Sequence, residues 1–290
     1  MAFSLTRRRF AALSLAVGSA SLLPRMAGAQ ETPEALFERL ERQIGGRLGV
    51  LLRDTGDGRE WAHRPDERFP MASTFKALAA GAVLLRVDKG EETLDRQIEI
   101  GEGDLVPHAP ITERHVGASL TIGELCAATV ATSDNPAGNL VLQSLGGPEG
   151  FTALLRGLGD DTTRLDRWET ALNEATPGDE RDTTTPRAMA ATLERMALAD
   201  ALSDASRAQL NEWMERAVTG DAKLRAGLPD DWKVGDKTGS GGNGSTNIVA
   251  IVTPPARAPF VVAIYFHENT VERSEIDAAM AEIGRSIATL

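Results

Sequence analysis

Three short strings in this 290-residue chain hold residue types able to perform acyl transfer: Ser73-Thr74-Phe75-Lys76, Ser133-Asp134-Asn135 and Lys237-Thr238-Gly239. A serine hydroxyl is a poor nucleophile until a neighbour takes its proton. Ser73 and Lys76 stand at i and i+3, hence on one face of a helix that contains both. Ser73 also opens the apolar helical pattern, where the helix dipole favours negative charge on its oxygen. Its backbone N–H and that of Ser240, the residue after Lys237-Thr238-Gly239, can form an oxyanion hole, in which one donor typically contributes about 10²–10³ in rate. Lysine is scarce, at positions 76, 89, 223, 233 and 237 only, yet two of the five fall inside these strings. Taken singly, each string has an ordinary reading. Ser73 can be a helix N-cap, Ser133-Asp134-Asn135 an Asx-rich cap ahead of Pro136, and Lys237 a solvated strand lysine. Their conjunction favours a site.

The elements that must position these groups fall into a clear order. Thr32 and Pro33 cap a helix over 33–44, stopped by Gly45-Gly46. Strands are predicted at 48–53 and 61–63 around a glycine-containing turn, and a helix at 73–87. Helical spacing recurs at 122–131, 136–145, 150–158, 186–198 and 203–217. Strand signal returns at 233–237, 248–253 and 260–266, followed by an amphipathic helix over 274–289. Strands at both ends and helices between them predict an α/β fold: one antiparallel sheet carrying the N- and C-terminal helices, with an all-α domain inserted. The expected partition is 30–64 with 218–290 as the α/β domain and 65–217 as the all-α domain, the site lying in the cleft between them. Residues 164–182, with Pro177, Gly178 and many charges, read as an Ω-type loop hanging over that cleft.

Residues 1–29 read as a signal peptide, with an apolar run too short for the about 20 residues a bilayer requires and an Ala27-Gly28-Ala29 end. Arg7, Arg8 and Phe10 point to twin-arginine export, the general secretory route being the alternative. The product is expected to be periplasmic or secreted, without a membrane anchor, and monomeric. The leader takes four of the 31 basic residues and no acid, leaving 27 against 42 and a net charge of −15. Such a balance argues against nucleic acid as a partner. Cys126 is the only cysteine, so no internal disulfide can form, and its apolar neighbours make it a core residue. His63, His115 and His267 lack ligand-like spacing, and neither metal nor cofactor is expected.

With Arg167-Trp168-Glu169-Thr170-Ala171-Leu172-Asn173-Glu174 between the second and third strings, the chain resembles the class A serine β-lactamases over essentially everything after the leader. The resemblance implies β-lactam ring hydrolysis through a Ser73 acyl-enzyme, with penicillins as first substrates and early cephalosporins aided by Ser240. It implies that Ser133 delivers a proton to the leaving nitrogen and Asn135 bonds the substrate's side-chain amide, Asp134 being structural. Lys237, Thr238 and Ser240 would take the substrate carboxylate, and Gly239 would let the strand edge lie flush against the ligand. Glu169 and Asn173 would hold the hydrolytic water, Glu169 as its base; whether Glu169 or Lys76 activates Ser73 stays open. Arg167 and Asp182 would pair to close the loop's neck. Several positions depart from the family pattern. Thr170 follows the glutamate where many members have proline, making a cis bond there less assured. His108 stands at an aromatic wall position. Thr246 replaces an arginine, leaving Lys223 or Arg273 to supply that charge, and Ala72 and Gly241 exclude a cystine bridge found in some members. A small D,D-peptidase would share the three strings but lack the Glu169/Asn173 pair, and a penicillin-binding sensor would acylate and stay acylated.

Overall fold

The computed structural model describes residues 31–290; the expected leader lies outside them. In chain order the elements are α1 (Pro33–Ile44), β1 (Arg47–Asp54), β2 (Glu60–His63), β3 (Phe69–Pro70), α2 (Phe75–Asp88), β4 (Gln97–Glu99), β5 (Ser119–Thr121), α3 (Ile122–Ala131), α4 (Asn135–Ser144) and α5 (Gly147–Gly157). Then come β6 (Thr183–Thr184), α6 (Pro186–Ala197), α7 (Asp204–Glu215), β7 (Lys233–Ser240), β8 (Thr246–Thr253), β9 (Phe260–His267) and α8 (Arg273–Ile287). Five strands form an antiparallel sheet in the order β2-β1-β9-β8-β7, so the C-terminal strand lies in its middle.

Period-two alternation assigns the sheet's two faces. Leu48, Val50 and Leu52 of β1 with Val262, Ile264 and Phe266 of β9 pack against α1 and α8. Leu51, Val261, Ala263 and Tyr265 turn the other way, into the core built by α2 to α7. At the centre of that second core lies α2, whose residues from Phe75 to Leu84 are all buried. A helix apolar on every side belongs in an interior, and here it carries one cation, Lys76, fully inside with it.

The cap expected at Thr32 is present, and the structure adds others. Thr32 accepts from Ala35 N at α1, Thr121 with Glu124 forms a reciprocal capping box at α3, and Ser203 caps α7. Two expectations shift. The helix predicted from Ser73 begins as a 3-10 turn, Ala72–Thr74, with α2 proper starting at Phe75. The strand predicted to end at Lys237 runs to Ser240, so the whole of Lys237-Thr238-Gly239-Ser240 edges the sheet. The two-residue pair β3–β6 and the short pair β4–β5 carried no readable pattern.

Candidate active site

Ser73 sits in the 3-10 turn at the mouth of α2, nearly buried, and its hydroxyl donates to Glu169 Oε1 at 3.3 Å. Lys76 Nζ donates to Ser133 O at 2.9 Å and Asn135 Oδ1 at 2.5 Å, and pairs with Glu169 Oε1 at 2.9 Å. An ammonium has three N–H groups, and these three contacts engage all of them. Burial pushes the Lys76 ammonium below its ordinary pKa, while the Glu169 charge pulls it back up. Lys76 therefore stands as a hydrogen-bond donor holding Glu169, and the acceptor nearest Ser73's proton is the carboxylate.

Ser133 adopts a left-handed backbone, φ +63°. Its hydroxyl accepts from Lys237 Nζ at 3.0 Å, whose ammonium also donates to Thr238 O at 2.7 Å. Lys237 is fully buried, and desolvation together with the like charge of Lys76 holds its pKa well below the usual lysine range. Asp134 is structural: it caps α4 by accepting from Ala137 N and ties in Ile111 N and Thr112 N, each at 2.9 Å. Asn135 holds Lys76 through Oδ1 and donates Nδ2–H to Pro107 O at 2.7 Å. One Nδ2 hydrogen and the second lone pair of Oδ1 are left for a substrate amide.

The Ω loop is closed where expected, with Arg167 Nε on Asp182 Oδ2 and Asp182 Oδ1 accepting from Asp166 N and Arg167 N. Asn139, which no sequence signal singled out, clamps Glu169 from α4: its Nδ2 donates to Glu169 O at 3.1 Å and its Oδ1 accepts from Glu169 N at 2.9 Å. The Glu169–Thr170 peptide is cis although Thr170 is not proline. Asn173 Nδ2 donates to Glu169 Oε2, and Asn173 Oδ1 is a buried acceptor without a protein partner. Glu169 and Asn173 thus touch directly, rather than only through the water expected between them, and the orphaned oxygen is where such a water can bind.

Across the cleft, β7 supplies the open sheet edge. Gly241 N–H donates to Ser245 O, so antiparallel alternation turns the Ser240 N–H away from β8 and into the cleft. The reason for Gly239 differs from the expectation. A Cβ there would lie 2.7 Å from Met71 O and 3.2 Å from Ser73 N, so the glycine accommodates the nucleophile's own turn rather than a ligand. Thr238 Oγ1 donates to Thr219 Oγ1 at 2.6 Å, adding a cleft hydroxyl the strings did not reveal. Arg273 lines the cleft and donates to Ser240 Oγ. Lys223 is a correction: it is buried, paired with Asp277 of α8, and absent from the cleft wall. Thr246 is buried on β8 opposite Ser240. His108, with φ +67°, walls the cleft, its Nε2 3.0 Å from Thr132 O.

The resulting cleft holds about 340 Å³ and brings together Ser73, His108, Ser133, Asn135, Asn173, Thr238, Gly239, Ser240 and Arg273. Larger hollows, such as one beside Arg68, Arg156 and Arg164, contain no serine or cysteine. Burial pushes the Cys126 thiol up, far from a reactive thiolate. Among the described residues no group of His, Cys, Asp and Glu is arranged to hold a metal.

A nucleophile backed by a buried lysine, facing a second serine–lysine pair across a sheet edge, defines an active-site-serine acyl-transfer enzyme. The family profile described as "Beta-lactamase enzyme family" matches residues 32–289. Beta-lactamase AST-1 of Nocardia asteroides is 51% identical over 251 residues, covering 87% of this chain and 81% of that protein. Beta-lactamase CTX-M-8 of Citrobacter amalonaticus is 46% identical over 276 residues, 94% of each. Among solved structures, an ancestral (GNCA) class A β-lactamase superposes with a TM-score of 0.88 at 57% identity, covering 89% of this chain and 99% of that one. The chain belongs to the class A serine β-lactamase family.

Proposed function

We propose that the Ser73 cleft hydrolyses the β-lactam ring of penicillins and cephalosporins in two steps, giving antibiotic resistance. The observation that carries this reading is the contact set of Glu169: one carboxylate reaches Ser73 Oγ, Lys76 Nζ and Asn173 Nδ2 together.

In acylation, Ser73 Oγ attacks the ring carbonyl while its proton passes to Glu169, the Lys76 ammonium steadying the carboxylate. The developing oxyanion takes the N–H groups of Ser73 and Ser240. As the carbonyl–nitrogen bond breaks, Ser133 Oγ–H, polarised by Lys237, protonates the departing nitrogen. The proton taken up by Glu169 passes to Ser133 by way of Lys76, which bonds both residues, leaving Glu169 ionised again. In deacylation, Glu169 removes a proton from a water held against Asn173 as the water oxygen attacks the ester carbonyl; the ester bond then breaks and Glu169 returns that proton to Ser73 Oγ. The substrate carboxylate is received by Thr238, Ser240 and Arg273, with the charge of the buried Lys237 behind them. Arg273 takes the place of the arginine missing at Thr246, because Lys223 is engaged by Asp277.

The test is the ultraviolet absorbance change of a penicillin and a chromogenic cephalosporin on mixing with purified protein. Turnover of both is expected, and turnover of neither would sink this reading.

Export to the periplasm or medium through the twin-arginine route, and a monomeric product, belong to the same reading. They are supported by Arg7, Arg8 and Phe10; no helix among the described residues is long and apolar enough to cross a membrane. Replacing Arg7 and Arg8 by lysine should leave active enzyme in the cytoplasm; unchanged export would point to the general secretory route. A single species of about 30 kDa on sizing is expected for the monomer, and a stable dimer would refute it.

A further inference from the structure

The part of the Ω loop that follows Glu169 is fastened to the sheet at its far side. Asn173 O accepts from Gly242 N at 2.8 Å. Two residues on, Ala175 lies buried in a left-handed conformation, φ +52°, and its carbonyl accepts from two donors. One is Asn243 Nδ2 at 3.0 Å, from the turn between β7 and β8; the other is His267 Nε2 at 2.9 Å, from the end of β9. The two are not equivalent. Asn243 is exposed, so water can stand in for it, whereas His267 is 2% exposed. A carbonyl only accepts, so His267 Nε2 must carry a hydrogen. The ring is backed on its other side by Glu268, whose Oε1 lies 3.4 Å from Nδ1 and is itself held by Arg47 of β1.

We propose that His267 is a positioning residue for deacylation. Its Nε2–H fixes the Ala175 carbonyl. Through two peptide units, this sets where Asn173 holds the Glu169 carboxylate and its water. The proposal rests on the two-step reading above and adds a residue that touches neither substrate nor the reacting atoms. Small displacements of a catalytic pair are costly: a shift of about 1 Å can remove about 10² in rate. The effect should fall mainly on the water-using step, because Asn173 bonds Glu169 Oε2, whereas Ser73 and Lys76 hold Oε1, the oxygen that serves acylation.

The test compares His267→Phe, which fills the space without a donor, with His267→Gln, whose side-chain amide can donate to the same carbonyl. Steady-state constants with a penicillin are measured beside intact-protein mass spectrometry during turnover. His267→Phe should lower kcat roughly tenfold, one step short of the about 10²–10⁴ a general base contributes. Its kcat/KM should fall much less, and a Ser73 adduct should accumulate. His267→Gln should restore kcat and clear the adduct. Wild-type kcat in His267→Phe, equal losses in kcat and kcat/KM, or no rescue by glutamine would each overturn the proposal. If His267→Phe does not fold, His267→Leu serves as the donor-free variant. Absence of turnover by the wild-type protein would instead overturn the two-step reading itself, and this proposal with it.

Discussion

Replacing Glu169 by alanine should convert the enzyme into one that acylates and stops. The carboxylate accepts from Ser73 Oγ and Asn173 Nδ2 and neutralises Lys76 in a site closed to solvent. Its removal takes away the base for water, worth about 10²–10⁴ in rate, or about 3–5 kcal/mol. Removing one partner of a buried pair ordinarily costs about 3–5 kcal/mol of stability by stranding the other charge. Lys76 can avoid that cost. Its pKa is already depressed by burial, and deleting Glu169 removes the main charge that raises it, which favours the neutral amine while the bonds to Ser133 O and Asn135 Oδ1 can stay. A neutral Lys76 can then take the Ser73 proton, which keeps the first step alive while the second fails. Intact-protein mass spectrometry after mixing with penicillin should show a lasting adduct on Ser73 in Glu169→Ala and none at steady state in wild type. Glu169→Gln, which preserves shape but not basicity, should behave alike. Deacylation within about tenfold of wild type in either variant would refute the assignment of Glu169 as water's base.

Arg273→Ala should raise KM for penicillins, corresponding to the loss of about 1.5–3 kcal/mol typical of a charged hydrogen bond, whereas Lys223→Ala should mainly lower Tm because it strands Asp277. The reverse pattern in steady-state kinetics and thermal melts would show that Lys223 is the cleft cation. Asp182→Asn keeps the shape of a buried carboxylate that accepts from Asp166 N, Arg167 N and Arg167 Nε, and should cost about 1.5–3 kcal/mol in denaturant unfolding; an unchanged midpoint would mean the neck is held elsewhere. Glu41, bonded by Arg64, Leu48 N and His63, is depressed from 4.5 to about 2. Its contribution is thus fully present above about pH 4.5 and lost as pH falls toward 2, so the Tm gap between wild type and Glu41→Gln should be widest at neutral pH and close on acidification. A gap independent of pH would argue against that ionic role.

What was legible in the sequence was local. Ser73 and Lys76 share a turn of chain, Ser133 to Asn135 are consecutive, and Thr32 caps a helix within three residues of itself. What escaped joins distant positions. Asn139 meets Glu169 across 30 residues, Arg273 reaches Ser240 across 33, and Lys223 is claimed by Asp277 across 54. Lys223 and Arg273 look alike as isolated cations, and only the packing of α8 decides which faces the cleft. Gly239 was singled out for its fit to a ligand, and its close approach to Met71 O and Ser73 N is one no spacing encodes.

The place of β9 between β1 and β8 sets an order on synthesis. Until residues 260–267 leave the ribosome, β1 has β2 as its only sheet neighbour. About 200 residues separate β2 from β9, which at roughly 5–20 residues per second is an interval of about 10–40 s. Throughout it the nascent chain carries an apolar ribbon, Leu48 to Leu52, with one hydrogen-bonding edge open. Such a ribbon is a ready template for pairing with another chain. It also follows that a chain broken off before Phe260 lacks the strand that joins β1 to β8, and with it the His267 bond to the Ω loop.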